Sequence, residues 1–173
     1  MGNLNTNARI SRVSDTDVPL ETMNRRDLPE HPANFRVAHV FVFNRSGELL
    51  LQHIAPGQRS EGRWGSSAAG YVLAGEAYPV AARRKLAAEL GVRDVIPRAL
   101  LKTSMPDLGA TKFITLFTAL SEGPFALDAE QATGIRFATP DEVEADIAAD
   151  PESFTATFRH LWGAYRAHQG GAP

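Results

Sequence analysis

Hydrophobic residues follow one another almost without interruption from Phe35 to Phe43, and this β-branched and aromatic run predicts a buried strand. A turn at Asn44–Gly47 leads into a second apolar run that ends at Ile54. Similar but shorter runs, bounded by turn residues, predict further strands. These lie at 10–13, 19–23, 66–74, 95–103, 111–120 and 133–138.

Helical spacing of apolar residues appears in three other places. One helix is predicted from Pro79, which suits a first helical turn, to Gly91, which suits the end of a helix. A second is predicted to open at Pro140, and a third covers 154–168 with aromatic residues along one side. Strands mixed with three helices favour an α+β chain folded as an α/β/α sandwich with a mixed β-sheet.

Composition and charge narrow the class of protein. A chain of 173 residues with 43% hydrophobic residues is typical of a globular protein, and we expect one domain at 9–168. Residues 1–8 are predicted to be disordered and 169–173 to form a flexible tail. The net charge of −2 favours no nucleic acid or anionic membrane as a partner. The N-terminal segment and the edge strands are candidate surfaces for a homodimer.

The absence of cysteine removes several kinds of chemistry. It excludes disulfides, zinc–thiolate sites and thiol catalysis, and it favours a cytoplasmic location. The five histidines are scattered through the sequence without the one-turn spacing of a metal-binding pair. His39 is interpreted as a core or strand-face residue, and His53 is not expected to bind a ligand.

Charged residues stand at fixed distances in the segment 70–92, which reads GYVLAGEAYPVAARRKLAAELGV. Glu76 lies in the loop before the predicted helix, and Arg84, Lys85 and Glu89 lie on that helix. Lys85 and Glu89 are one turn apart and therefore share a helix face. A tight bend between strand and helix would turn this face toward the loop that carries Glu76.

This segment resembles the Nudix box, G-x5-E-x7-R-E-U-x-E-E-x-G-U, in which U is a bulky aliphatic residue. The matching residues are Gly70, Glu76, Arg84, Leu86, Glu89, Gly91 and Val92. Two positions that are glutamate in the box are Lys85 and Ala88 here. The resemblance implies a Nudix-type sandwich, with Gly70, Gly91 and Arg84 in structural roles. In that family the matching arginine bonds a neighbouring carboxylate.

The resemblance also implies a hydrolase that cleaves a diphosphate linkage in a nucleoside diphosphate derivative or a related organic diphosphate. Such cleavage uses Mg²⁺ or Mn²⁺, which prefer carboxylate and water oxygens. Glu76 and Glu89 are the candidate metal ligands and catalytic residues. Because only these two carboxylates remain, we expect weak metal binding and weakened activity. The usual position of the general base is not acidic, and Asp107, in a predicted loop at 104–109, is the nearest alternative.

Lys85 supports a second hypothesis, in which its ammonium pairs with Glu89 and partly replaces a metal ion. The chain would then be a non-catalytic Nudix-fold module that binds a phosphorylated ligand or a protein partner. An ordinary helix ion pair, worth a few tenths of a kcal/mol, is an equally good interpretation of the same spacing. Arg59 and Arg63 are candidate contacts for substrate phosphate, because guanidinium groups hold phosphate oxygens in pairs. Two solvated loop arginines are the alternative.

The flanks of the segment are similar to the branch that contains isopentenyl diphosphate isomerase. They share a strand, a turn of the Asn-x-x-Gly kind, a second strand, a basic loop, and the Trp64-x-x-Ser67 pattern before the glycine. The isomerases need a cysteine just before that glycine and a histidine just after it, whereas this chain has Ala69 and Tyr71. Isomerisation by that mechanism is therefore excluded.

Overall fold

The computed structural model describes residues 7–171. The disorder predicted for residues 1–6 and the tail at 172–173 lie outside the described residues. Asn7 and Ala8 accept hydrogen bonds from Arg26 and from the backbone N–H of Arg25. The last helix extends to Gly170, so the first residues of the predicted tail are helical.

The described residues form nine strands and three α-helices. Their order is the one that the sequence predicts, except that the short strand Trp64–Gly65 was expected to be part of a loop. The strands are β1 (Arg9–Val13), β2 (Pro19–Asn24), β3 (Phe35–Phe43), β4 (Leu49–Ile54), β5 (Trp64–Gly65), β6 (Ala68–Tyr71), β7 (Arg98–Asp107), β8 (Ala110–Leu120) and β9 (Ala132–Ala138). The helices are α1 (Tyr78–Leu90), α2 (Pro140–Ala149) and α3 (Ala156–Gly170).

The main sheet is mixed, as predicted. Its strands follow the order β5-β4-β3-β8-β7, while β1 and β2 form a separate hairpin. The central strands β3 and β8 are parallel along the whole of β3, and the other neighbours are antiparallel. Helix α1 packs against one face of the sheet and α3 against the other, each with its own hydrophobic cluster. These layers confirm the sandwich.

The sheet divides between β3 and β4. These strands pair only at the hairpin end, where Phe43 faces Leu49. Farther from the turn, β6 pairs with β3, while β5 and β9 pair with β4. The divergence leaves a space between the two halves of the sheet, and both β3 and β4 contribute residues to the wall of a cavity there.

The prediction of a loop at 104–109 is wrong. Strand β7 continues to Asp107, which pairs with Ala110 at the start of β8. The turn consists of Leu108 and Gly109, both with positive φ (49° and 76°), as a tight two-residue hairpin turn requires. Asp107 is therefore fixed at the end of a strand and not in a loop.

Candidate functional site

The end of α1 places Glu89 inside the protein. Gly91 ends the helix in the left-handed region with φ 69°, and its N–H donates to the carbonyl of Ala87. Glu89, in the last turn, is 2% exposed, and its Oε2 accepts a hydrogen bond of 3.2 Å from the N–H of Ala69 on β6. Burial raises the pKa of Glu89 above its ordinary value, and the positive charge of Lys85 acts in the opposite direction.

Lys85 lies across the backbone of Gly70. A Cβ atom at Gly70 would come within 2.6 Å of both Cδ and Cε of Lys85, so a larger residue there would force the Lys85 side chain to move. The ammonium of Lys85 stands 3.6 Å from Oε1 of Glu89. Its charge also lowers the pKa of Glu76, so one ammonium acts on both acidic residues of the segment.

Arg84 holds Glu76. Its Nε donates to Oε1 at 2.8 Å and its Nη2 to Oε2 at 3.0 Å, while the N–H of Leu73 donates to Oε2 at 2.9 Å. Burial acts to raise the pKa of Glu76, but these bonds outweigh it and the pKa is lowered. Arg84 also donates to the carbonyl of Tyr71, and it thereby joins helix, loop and strand. Both oxygens of Glu76 are thus engaged by protein donors.

A cavity of about 280 Å³ lies beside Glu89. Its wall is formed by β3, β4, β6, the loop that carries Arg59 and Arg63, the β7–β8 hairpin and the first turn of α3. Among the residues that the structure describes, Glu89 is part of this wall, whereas Glu76 is not. The predicted pair of carboxylates is therefore not brought together in the cavity.

Asp107 joins three parts of the cavity wall. Arg59 donates to it with both terminal nitrogens, one of them at 3.0 Å from Oδ2. Buried Lys112 donates to the same Oδ2 at 2.9 Å and to the hydroxyl of Thr157 on α3 at 2.7 Å. Burial acts to raise the pKa of Asp107, but the bonds from Arg59 and Lys112 outweigh it and hold the pKa below its ordinary value. A carboxylate held in this way is a poor proton acceptor, which disfavours Asp107 as general base.

Both predicted phosphate contacts line the cavity, and they are its more exposed basic residues. The side chains of Arg59 and Arg63 are 50% and 39% exposed. Arg63 stands 3.6 Å from a carboxylate oxygen of Glu152, a loose and exposed pair. Burial lowers the pKa of Lys112, the third cation of the wall, and its contact with Asp107 opposes that shift.

His39 and Ser66 form a buried polar contact in the wall, which agrees with the interpretation of His39 as a core residue, although its place in a cavity was not expected. Nδ1 of His39 lies 2.8 Å from the hydroxyl of Ser66. Burial lowers the pKa of His39 to about 3, so the imidazole is neutral at physiological pH. The available signal was a polar residue inside an otherwise apolar strand, which is compatible with a core histidine as well.

Comparison with known proteins decides the family, because a model of the NUDIX domain matches residues 33–158. The chain belongs to the Nudix family. It is 33% identical to the uncharacterized Nudix hydrolase PA4841 of Pseudomonas aeruginosa, over 88% of this chain and 92% of that protein. It is also 34% identical to an isopentenyl-diphosphate Delta-isomerase of Streptomyces avermitilis, over 76% of this chain and 69% of that protein.

Solved structures agree with this Nudix fold. The structure of DR0079 from Deinococcus radiodurans superposes with a TM-score of 0.72 at 24% identity, over 82% of this chain and 90% of that one. A MutT protein from Methanosarcina mazei gives a TM-score of 0.66 at 16% identity, over 79% and 95%. Within residues 7–171, no helix is both long and apolar enough to cross a bilayer.

The residues of this Nudix site do not fit a cluster of divalent metal ions. Mg²⁺ needs several oxygen ligands in near-octahedral geometry. In the described part of the chain, no group of three or more acidic or histidine side chains could hold an ion. Of the two carboxylates in the cavity wall, Asp107 is bound by Arg59 and Lys112, and Glu89 faces the ammonium of Lys85. Each of these two carboxylates therefore already has a cationic partner from the chain.

Proposed function

We propose that this Nudix domain binds the phosphate or diphosphate group of a small organic molecule without a metal ion. Lys85 provides the positive charge beside Glu89 that a divalent ion would otherwise supply. The observation that carries the proposal is the 3.6 Å contact between Lys85 and Glu89. Glu89 thereby has a cationic partner from the protein itself, while Glu76 is bonded by Arg84, as the resemblance implies.

The charges of the cavity wall support an anionic ligand. Three cations, Arg59, Arg63 and Lys112, face two carboxylates. The planar guanidinium of Arg59 already binds one carboxylate with two nitrogens, which is the geometry that a phosphate oxygen pair also needs. The first turn of α3 lines the same cavity, and the N-terminus of a helix carries partial positive charge.

Calorimetric titration with pyrophosphate tests this proposal most directly. In EDTA, we expect saturable binding that Mg²⁺ does not strengthen and that Arg59→Ala weakens by roughly tenfold, the loss of one charge-assisted contact. Arg93→Ala is the matched control, because Arg93 is an exposed arginine that does not line this cavity. Binding that requires Mg²⁺, or no binding at all, contradicts the proposal.

A second candidate function is the magnesium- or manganese-dependent hydrolysis of a diphosphate linkage in a nucleoside diphosphate derivative or related organic diphosphate, at a low rate. The burial of the Glu89 carboxylate in the cavity wall favours it, as does the similarity to a protein named as a Nudix hydrolase. Release of phosphate or nucleoside monophosphate from a panel of diphosphates, abolished by Glu89→Gln, would establish it. The double change Lys85→Glu with Ala88→Glu should then raise metal affinity and turnover.

A further inference from the structure

Gln52, a residue of the cavity wall, carries a buried hydrogen-bond donor without a partner among the described residues. Its backbone lies between two neighbouring strands, opposite Gly65 on β5 and Ile135 on β9. The residue lines the cavity and is only 6% exposed. Within the described residues, the side-chain Nε2 of Gln52 has no hydrogen-bond partner. Since a buried amide without a partner is unfavourable, something that enters the cavity is the natural acceptor.

The other buried polar residues of the cavity wall do not serve as a hydrogen-bond partner for Gln52. His39 and Ser66 are bonded to each other, and His39 is neutral because burial holds its pKa at about 3. Lys112 is buried too, but its ammonium is occupied by Asp107 and Thr157. The donor of Gln52 therefore remains free for a ligand.

The cavity wall has exposed basic residues and buried residues, and the buried ones include the charged Glu89 and Lys112 as well as uncharged polar side chains. Arg59 and Arg63 are substantially exposed, and a phosphate group can reach them while it keeps part of its hydration. Gln52, His39 and Ser66 are buried and uncharged. A ligand held by its phosphate at the arginines would extend its other end toward the amide of Gln52.

We propose that Gln52 determines specificity, by donating from Nε2 to a hydroxyl or other neutral oxygen at the end of the ligand remote from phosphate. The domain would then select hydroxylated organic phosphates, such as sugar phosphates, over hydrocarbon phosphates. A hydrocarbon end would expel water and leave the amide unpaired, and sites built to form such a bond discriminate strongly against analogues that lack it. This inference rests on the proposed function, because it assumes that the cavity binds phosphate.

Two monophosphate esters of equal carbon number provide the test. Ribose 5-phosphate and isopentenyl phosphate both have five carbons, but only the first has hydroxyl groups along its chain. Calorimetric titration of both esters in EDTA, beside pyrophosphate, should give an affinity for ribose 5-phosphate at least about tenfold higher, as one satisfied buried donor predicts.

The variant Gln52→Leu removes the donor and keeps a side chain of similar size. We expect it to weaken ribose 5-phosphate binding by about tenfold, to strengthen isopentenyl phosphate binding, and to leave pyrophosphate binding unchanged. Gln131→Leu is the matched control, because Gln131 is also buried with an unpartnered amide atom but does not line the cavity. It should alter none of the three affinities. Gln52→Met serves as a second variant if the leucine protein has a lowered melting midpoint.

The outcomes separate the two proposals. If pyrophosphate binds but the two esters bind equally well, or if isopentenyl phosphate binds more tightly, the role of Gln52 is refuted and phosphate binding stands. The same holds if the preference survives in the Gln52 variants. If pyrophosphate and both esters fail to bind the wild-type protein, the proposed function fails and the inference about Gln52 fails with it.

Discussion

Replacing Lys85 with methionine would remove the ammonium beside Glu89 while keeping an unbranched side chain across Gly70. The two charges are 3.6 Å apart and both side chains are largely buried. At an effective dielectric constant of about 20, their gross attraction is roughly 4–5 kcal/mol. Glu89 can escape part of this loss by taking up a proton. Because burial already raises the pKa of Glu89 above its ordinary value of 4.5, protonation at pH 7 costs less than about 3.4 kcal/mol, and the loss of stability cannot exceed that cost.

We therefore expect Lys85→Met to lower the free energy of unfolding by about 2–3 kcal/mol at pH 7. The loss should shrink at lower pH. Burial already raises the folded pKa of Glu89 above its unfolded value, and removal of the Lys85 charge, which opposes this shift, should raise it further. The folded variant should therefore bind more protons, and its stability should rise as the pH falls. Near pH 5.5, protonation of Glu89 costs at most about 1.4 kcal/mol, and the loss of stability should not exceed this cost.

Urea unfolding of a double-mutant cycle measures this effect. In a Glu89→Gln background, Lys85→Met should cost less than about 0.5 kcal/mol, because no buried carboxylate remains to be neutralised. Arg83→Met, on an exposed position of the same helix, controls for the loss of one surface charge and should also stay within about 0.5 kcal/mol. If Lys85→Met itself lowers the free energy of unfolding by less than about 0.5 kcal/mol at every pH, Lys85 and Glu89 form an ordinary helix ion pair. That result would refute the hypothesis that the ammonium of Lys85 replaces a metal ion.

Other predictions concern Asp107 and Gly70. Asp107→Asn leaves buried Lys112 without its anion and should lower the free energy of unfolding by about 2–4 kcal/mol at pH 7. Because the folded pKa of Asp107 is lowered, its contribution to stability is present above the ordinary aspartate pKa and is lost as the pH falls through the folded value. The stabilities of variant and wild type should therefore converge in acid. A stability difference in urea unfolding that is the same at pH 3 and at pH 7 would contradict this. Gly70→Ala should lower the free energy of unfolding by about 1–3 kcal/mol in urea, because the new Cβ would overlap the side chain of Lys85. The additional change Lys85→Ala should restore most of that stability. If it does not, the overlap with Lys85 is not the cause of the loss.

The elements of the fold were largely predictable because each has a strong local signal. The apolar run from Phe35 to Phe43 is β3 without change, and Pro140 opens α2 as expected. The turn at Leu108 was missed for a physical reason: a tight hairpin turn needs positive φ, and the usual signal is asparagine or aspartate before glycine, not leucine. The error shifted Asp107 from a strand end to a loop.

The site was less predictable, because its residues come together only through the tertiary fold. Sequence spacing puts Glu76 eight residues before Arg84, but it does not reveal whether the carboxylate faces that arginine or the cavity. The buried members His39 and Gln52 lie on β3 and β4, and they share a cavity only because these two strands diverge with distance from the Phe43–Leu49 pair at the hairpin end. The sole local signal was a polar residue in each apolar run, and a satisfied core residue gives the same signal.

Under the proposed function, the balance of charge around the cavity would allow a Nudix fold with an altered box to bind an anion. Each carboxylate at the site has a cation from the same chain, since Glu76 pairs with Arg84, Glu89 faces Lys85 and Asp107 is held by Arg59. A phosphate ligand would therefore meet no uncompensated negative charge among these residues, and under the proposal it would need no metal ion to bridge it to the protein. The replacement of a box glutamate by Lys85 and the room that Gly70 leaves for its side chain belong to one arrangement, and the loss of either should weaken phosphate binding.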